Sequence, residues 1–473
     1  LERLEKDFPN LHLGFFLYSN HGDYPVRYKP HPKISICIAD ISYSRMHGVV
    51  EGKSRSRNYY RHILEQWGNL HKTQGNPLQL RGYNWNLADN MLPYTKLKIW
   101  GEDLPFYHRL GVTGIWTESI KAWSNSGPSD YLEAQMLWNV NQNWKDILRH
   151  YCQKSFAAAA PMMEKYYLDL AERQSNSGYE AGSYFAFPQI YNRTFVRKSE
   201  ELFKDASAAV KDDAPALERV RIASIPIASL HDFLDFRDAY SSCDFSKAET
   251  IFAEMKERLL SELKRNGMSV CRFATNRYPN LFFGKFLELG KSCSTGDNQI
   301  VYAFPDQLKA MIDPLDTGES FGYYSPALVD DDYINVRTFG STWDAQGLDG
   351  MRRGAIWYRV KFSLPEHFRG KKIGLFLGGG DLIFRAWNNG QKVGEGVGYL
   401  KPFIFDLSNS VKFGEENVLA IKVARHGHSE LGVGGLMLPS FVFAGKKIET
   451  SGESMQTDER ILPGGEREKA QKK

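Results

Sequence analysis

The chain has no apolar run of about 18 residues or more, which excludes a membrane-spanning helix and predicts no membrane partner. Charge of one sign is scarce too: 60 Lys and Arg stand against 56 Asp and Glu, a net charge of only +4. With no dense basic face anywhere, this argues against a dedicated nucleic-acid binder, and no nucleic-acid partner is expected. Cysteine is sparse and scattered, at Cys37, Cys152, Cys243, Cys271 and Cys293. None has the CxxC or Cys…His spacing of a zinc site, so these read as unpaired buried thiols. His426 and His428 have no third ligand nearby, and no metal is expected. The triplet Gly378-Gly379-Gly380 precedes a strand pattern rather than a helix, so it is not a phosphate loop. No organic cofactor is expected either. A signal peptide pattern is missing as well, but the first residue is Leu1 and the opening LERLEKDFPN is charged and helix-like. It reads as a cut N-terminus, which says nothing about secretion.

What is present points to several domains. At roughly 150 residues each, 473 residues make two to four. Aromatic residues reach 13%, a surplus that suits either sugar stacking or large cores. In the first 142 residues four apolar runs stand out: HLGFFLYSN from His12, ISICIAD from Ile34, LQLRGYNWN from Leu78 and VTGIWTES from Val112. They are apolar rather than strictly alternating, the pattern of parallel strands covered on both faces. Helical stretches SRNYYRHILEQWGNL, KLKIWGEDLPFYHRLG and SDYLEAQMLWNV follow the second, third and fourth runs. Such alternation predicts right-handed βα units. A (β/α)₈ barrel needs about 250 residues, so residues 1–142 read as half of one, the C-terminal half; a small open α/β sheet is the alternative. Residues 143–322 read as a helical region, with Asn143 capping its first helix and Asp244 or Ser246 its last. Residues 323–445 read as a jelly-roll β-sandwich of short strands, with a hairpin at Asn389-Gly390. Residues 446–473 read as a disordered tail.

Two resemblances follow from these stretches. WYRVKFSLP, KIGLFLGGGDLIFRAWNNGQKVGEGVGYLKPFIFDLS and ENVLAIKV resemble the sugar-binding domain of family 2 glycoside hydrolases. The matching residues are Trp357, Tyr358, Arg359, Asp381, Trp387, Asn389, Gly390, Pro402, Phe403, Asp406, Asn417 and Val423. They are turn and core positions, so they speak for a galactose-binding-like fold rather than for binding. The stretches KPHPKISICIADI, LRGYNWNLADNMLPYTKLKIWGEDLPFYHRLGVTGIWTES and SDYLEAQMLWNVNQNWKDILRHYCQKSFAAAAPMMEKYY resemble the bacterial DUF4838 family. That family looks related to α-glucuronidase-type glycoside hydrolases. The resemblance implies a glycosidase-like barrel and no particular activity.

Glycoside hydrolysis needs two carboxyl groups, about 5–5.5 Å apart for retention and roughly 6.5–9.5 Å apart for inversion. In a barrel they come from the C-terminal ends of strands. Glu118, two residues after Trp116, is the first candidate, since an indole beside a carboxyl can raise its pKa; pairing with an Arg or capping the next helix is the alternative. Asp40, ending the second run, is expected to be the second carboxylate, or else a loop cap. Substrate contacts are expected from His21 after the first run, Arg45, Tyr83, Trp85, Asn86, Asp89, Trp116 and Trp123. Asp23 is a further candidate beside His21. Arg45 would hold a uronate carboxylate through its fork, Trp85 would stack, and Asn86 would bond a hydroxyl; an aromatic cluster at the barrel end is the structural alternative. The expected function is a glycoside hydrolase, or part of one, acting on a poly- or oligosaccharide, uronate-containing ones included, without cofactor. The rival is a non-catalytic glycan-binding or surface-attachment protein. The full-length parent is expected to be secreted, periplasmic or at the cell surface; oligomeric state stays open.

Overall fold

A computed structural model describes residues 1–451 apart from 2, 19–20, 86–90, 181–183, 340, 344–345, 349–352 and 427–433. The protein mixes helix and sheet and divides into two compact units. The first comprises Leu1–His231 and Leu259–Ala274, the second Asp232–Arg258 and the residues from Thr275 on.

The first unit is built on a four-stranded, wholly parallel sheet. Its strands are β1 (Leu13–Leu17), β2 (Ile34–Ala39), β3 (Leu78–Tyr83) and β4 (Val112–Glu118), in that spatial order. Helix α1 (Arg55–Gln74) joins β2 to β3, α2 (Leu97–Leu110) joins β3 to β4, and α3 (Trp123–Trp138) follows β4. Ser54 starts α1, its hydroxyl accepting from the Arg57 N–H at 3.0 Å. Gly111 ends α2 at φ +91°, where any Cβ would lie 2.3 Å from the His71 ring.

Successive side chains of a strand point to opposite faces. The register puts Ile36, Ile38, Leu80 and Ile115 on the outer face. There Leu80 and Ile115 line a small void with Asp40, Tyr60 of α1 and Trp100 and Tyr107 of α2. The inner face carries Phe16, Cys37, Ala39, Gln79, Arg81, Tyr83, Gly114, Trp116 and Glu118. Helices Trp144–Phe156, Ala160–Ser175 and Arg193–Ala209 follow, and Ala214–Ser241 and Phe245–Arg265 each contribute to both units. Asn143 caps the first of these by accepting from the Lys145 N–H at 2.9 Å. Asp244 accepts from the Lys247 N–H at 3.0 Å.

In the second unit the strands are β5 (Gln299–Ala303), β6 (Gln307–Asp313), β7 (Ile334–Arg337), β8 (Arg353–Ser363), β9 (Lys372–Leu377), β10 (Gly380–Asp381), β11 (Ile383–Asn388), β12 (Gln391–Val397), β13 (Phe403–Asp406), β14 (Glu416–His426), β15 (Gly435–Leu436) and β16 (Phe441–Gly445). They form a six-stranded sheet, β12-β11-β14-β8-β6-β7, and a four-stranded one, β13-β9-β16-β5. Every pair in these two sheets is antiparallel. Ile356, Tyr358, Phe384 and Ile421 from the first sheet share one buried cluster with Leu375, Leu377, Phe405 and Val442 from the second. Asn389 and Gly390, at φ +51° and +85°, make the two-residue turn between β11 and β12.

Three expectations change. Strands begin at Gln299, not after 322, because β5 and β6 find their partners in β16 and β8, too far along the chain for a local pattern to reveal. Cys37 and Cys243 are half-buried rather than buried, although all five thiols are free. The expected tail is described only as far as Ser451, whose N–H bonds the Ile404 carbonyl at 3.1 Å. Among the described residues no group of His, Cys, Asp and Glu is arranged to hold a metal, and no helix is long and apolar enough to cross a membrane. His428 lies outside the described residues.

Ile421 is fully buried between the two sheets. Replacing it with Ala should cost about 2–5 kcal/mol, measurable as a lowered urea midpoint.

Candidate functional site

In parallel α/β folds, ligands bind at the carboxyl ends of the strands. Here that edge is formed by Tyr83 and Glu118, the paired last residues of β3 and β4. Glu118 is ion-paired with Arg81, its side chain 39% exposed. The Arg81 guanidinium lies 3.9 Å from the centre of the Trp116 ring. Trp116 is half-exposed, donates through Nε1 to Cys37 Sγ at 3.3 Å, and lies 6.4 Å from the Phe16 ring. So a carboxylate, a guanidinium and an open indole share the inner face. Of the two alternatives for Glu118, the Arg pairing is the one realised. Arg81 was legible in principle: it sits two residues before Tyr83, one pleat repeat away on the same face.

Asp40 is a correction. It follows Ala39, an inner-face residue, and so points outward among the helices. It is 8% exposed and bonded to Arg57 of α1 at 2.7 Å. Burial alone would raise its pKa, but the charges of Arg57, Lys96 and Arg45 hold it below the ordinary carboxylate value. Asp40 and Glu118 therefore lie on opposite faces of the sheet. Trp85 is a second correction: it is 8% exposed, packed with Ile41 and Tyr83, and offers no free face for stacking. Arg45 is likewise buried. It donates to the Trp85 carbonyl at 2.8 Å and lies over the Tyr83 and Trp85 rings at 4.6 and 5.6 Å. Tyr83 is buried on the inner face, where burial pushes its hydroxyl up to about 12. His21 is exposed in the segment after β1, near Asp23, which accepts from the Tyr59 hydroxyl at 2.8 Å. Trp123 is 46% exposed at the start of α3. Asn86 and Asp89 lie outside the described residues.

The sequence reading missed the polar layer behind this edge. Asn84, pointing to the helix side, donates to Asp130 at 2.7 Å and Glu133 at 2.5 Å, both on α3, and accepts from Trp100 Nε1. Thr117 also donates to Glu133, and Ser119 and Ser126 donate to Asp130. The Asn84 N–H bonds the Glu118 carbonyl at 3.0 Å. This network therefore fixes the strand ends that carry the site. Its signal in the sequence was the i, i+3 acid pair of SDYLE. Burial pushes Glu133 up to about 7, against the bonds from Thr117 and Asn84. Burial, with the Arg57 charge adding to it, lowers Lys96 to about 7.

Comparison with known proteins places parts of this chain beside glycoside hydrolases. A β-glucuronidase from Formosa agariphila is 40% identical over 77 residues, 16% of this chain and 8% of the relative. A β-galactosidase from Thermoanaerobacter pseudethanolicus is 32% identical over 94 residues, 20% of this chain and 13% of the relative. The chain thus spans only a small part of the curated relatives' length. A solved β-glucuronidase from Ruminococcus gnavus aligns at 19% identity and a TM-score of 0.28, over 34% of each chain. Residues 1–169 match the family model described as Domain of unknown function (DUF4838), so the resemblance read from the sequence holds over that stretch.

Two measurements follow. Asp40→Asn leaves a buried guanidinium without its counter-charge and should cost about 3–5 kcal/mol, whereas Glu118→Gln, at a half-exposed pair, should cost about 1 kcal/mol or less; urea unfolding of both variants compares them. Glu133 has a raised folded pKa, so the folded state binds its proton more tightly than the unfolded state does. Its contribution should fall as pH rises from about 4.5 to about 7 and be flat beyond, by roughly 1–3 kcal/mol. The difference in unfolding free energy between wild type and Glu133→Gln across that range reads it out.

Proposed function

We propose that the protein is a carbohydrate-active protein of glycoside hydrolase type, with its site on the inner face of the parallel sheet at Glu118. The single observation that carries this reading is the grouping of Glu118, Arg81 and open Trp116 at the carboxyl end of that sheet. An exposed indole offers a platform for a sugar's C–H face. The Arg81 fork offers paired donors to a hydroxyl or an acidic substituent, and Glu118 supplies one of the two carboxyls that glycoside hydrolysis uses. In this reading the four βα units are half of a (β/α)₈ barrel, and the two antiparallel sheets form a galactose-binding-like jelly roll that accompanies it. The poly- or oligosaccharide class includes uronate-containing chains, to which the similarity with a β-glucuronidase lends support. A polysaccharide too large to enter a cell is met outside it, which suits a protein that acts in a secreted, periplasmic or surface-bound state.

The outward turn of Asp40 favours a second reading. Among the described inner-face residues Glu118 is the one carboxylate, and a face with a single carboxyl group suits a non-catalytic glycan-binding protein.

The two readings separate in one experiment. The chain is assayed against aryl β-glucuronides and β-galactosides, and for saccharide binding by saturation-transfer NMR. Catalysis predicts turnover that falls at least ~100-fold in Glu118→Gln, with a raised KM in Trp116→Ala. Binding without turnover, lost in Trp116→Ala but kept in Glu118→Gln, supports the glycan-binding reading. Turnover undiminished in Glu118→Gln removes Glu118 from the chemistry.

A further inference from the structure

On the helix side of the sheet the ends of β3 and β4 meet two carboxyl groups of α3. Asn84 is 3% exposed and Glu133 5%. A single nitrogen, Asn84 Nδ2, donates to Asp130 Oδ1 at 2.7 Å and to Glu133 Oε2 at 2.5 Å, so the two carboxyls are close neighbours. The Thr117 hydroxyl bonds the other oxygen of Glu133. The Asn84 amide is committed to one orientation, because its oxygen accepts from Trp100 Nε1. Turned over, it would set its oxygen against both carboxyls and its NH₂ against the indole N–H.

Among the described residues no Lys or Arg pairs with Glu133. The charged groups that act on it are Asp130 on its own helix and Lys96 at the start of α2, and Lys96 acts through space alone. From the strand ends it faces Asn84 and Thr117, both uncharged. Burial beside a second carboxyl, with no cation in contact, favours the neutral form of an acid. The neutral form also fits the bonding here: its O–H bonds the Thr117 oxygen while its carbonyl oxygen accepts from Asn84.

We infer that Glu133 is a positioning residue for Glu118 that works through its proton: neutral, it holds the ends of β3 and β4 together, and ionised, it loosens them. The link to Glu118 is short. The Asn84 N–H bonds the Glu118 carbonyl at 3.0 Å, and Thr117 directly precedes Glu118. Linkage fixes the sign. An opening that hydrates Glu133 returns it from about 7 toward its ordinary value of 4.5. The closed arrangement therefore binds the proton more tightly, is favoured in acid, and is lost as pH rises through about 7. Control of saccharide binding by this proton rests on the reading of Glu118 given above; the proton-dependent hold on the strand ends does not.

Hydrogen exchange of the Asn84 amide, followed by NMR in the full chain with isotope-labelled asparagine and corrected for the intrinsic rate at each pH, tests the hold. Its protection should fall at least about tenfold between about pH 5 and about pH 8. Glu133→Gln presents a neutral side chain with one donor and one acceptor in the same places, so protection there should stay high and level. Thr117→Val removes a donor that favours the ionised form, so in that variant the fall should move to higher pH. Binding of glucuronic acid and of galactose is measured on the same samples by saturation-transfer NMR. Neither sugar titrates in this range. Affinity should fall about fivefold in the wild type as pH rises through about 7, and stay level in Glu133→Gln. Asn84 protection that is independent of pH in the wild type overturns the inference, as does a fall of equal size in Glu133→Gln. Affinity profiles that coincide in the two proteins overturn the positioning role. A chain whose Asn84 protection behaves as expected but which binds neither sugar defeats the carbohydrate reading alone.

Discussion

The two-residue alternation of a β-strand is the constraint on which the rest of the first unit depends. In a parallel sheet, paired residues share a face, so one register assigns every side chain at once. It sends Glu118, Trp116, Arg81 and Tyr83 to one side and Asp40, Asn84 and Thr117 to the other. The outer side then acquires helices, burial and polar networks. The inner side keeps an ion pair and an aromatic surface open.

The outer networks explain why the strand ends are well defined although they carry the site. Asp40 and Arg57 tie the end of β2 to the first turn of α1. Asn84 ties the end of β3 to α3 through both Asp130 and Glu133, and Thr117 ties β4 to the same Glu133. Buried polar groups are costly unless each finds a partner. A network of this kind therefore favours one arrangement of the strand ends and, through the Asn84 N–H on the Glu118 carbonyl, one position for Glu118. In the second unit the same economy appears on the far face of the six-stranded sheet. Glu319 sits between Lys422, at 2.7 Å, and Arg385, and Tyr324 stacks on Trp387 with ring centres 5.5 Å apart.

Much of the first unit was legible without coordinates. Its four strands were read within a few residues of where they lie, because short apolar runs bounded by polar residues have few other solutions. The helix KLKIWGEDLPFYHRLG is found as Leu97–Leu110 with its closing Gly111. The errors had specific causes. Asp40 follows a strand end, as a site residue would, but its parity relative to Cys37 assigns it to the helix side. Trp85 lies past a strand end, the position of a stacking platform, but burial depends on what packs over it. Strands β5 and β6 were lost within a helical stretch because their partners lie so far along the chain.

The sequence by itself determined the four strands and connecting helices of the first unit, and the presence of a carboxyl beside an indole at the end of β4. These are local properties, set by side-chain period and composition within a few residues. Only the tertiary structure decided which charges meet. Arg81 pairs with Glu118 across two strands, and Arg57 reaches Asp40 from a helix. Pairing of this kind depends on register and on the distance between elements, and no spacing along the chain contains it.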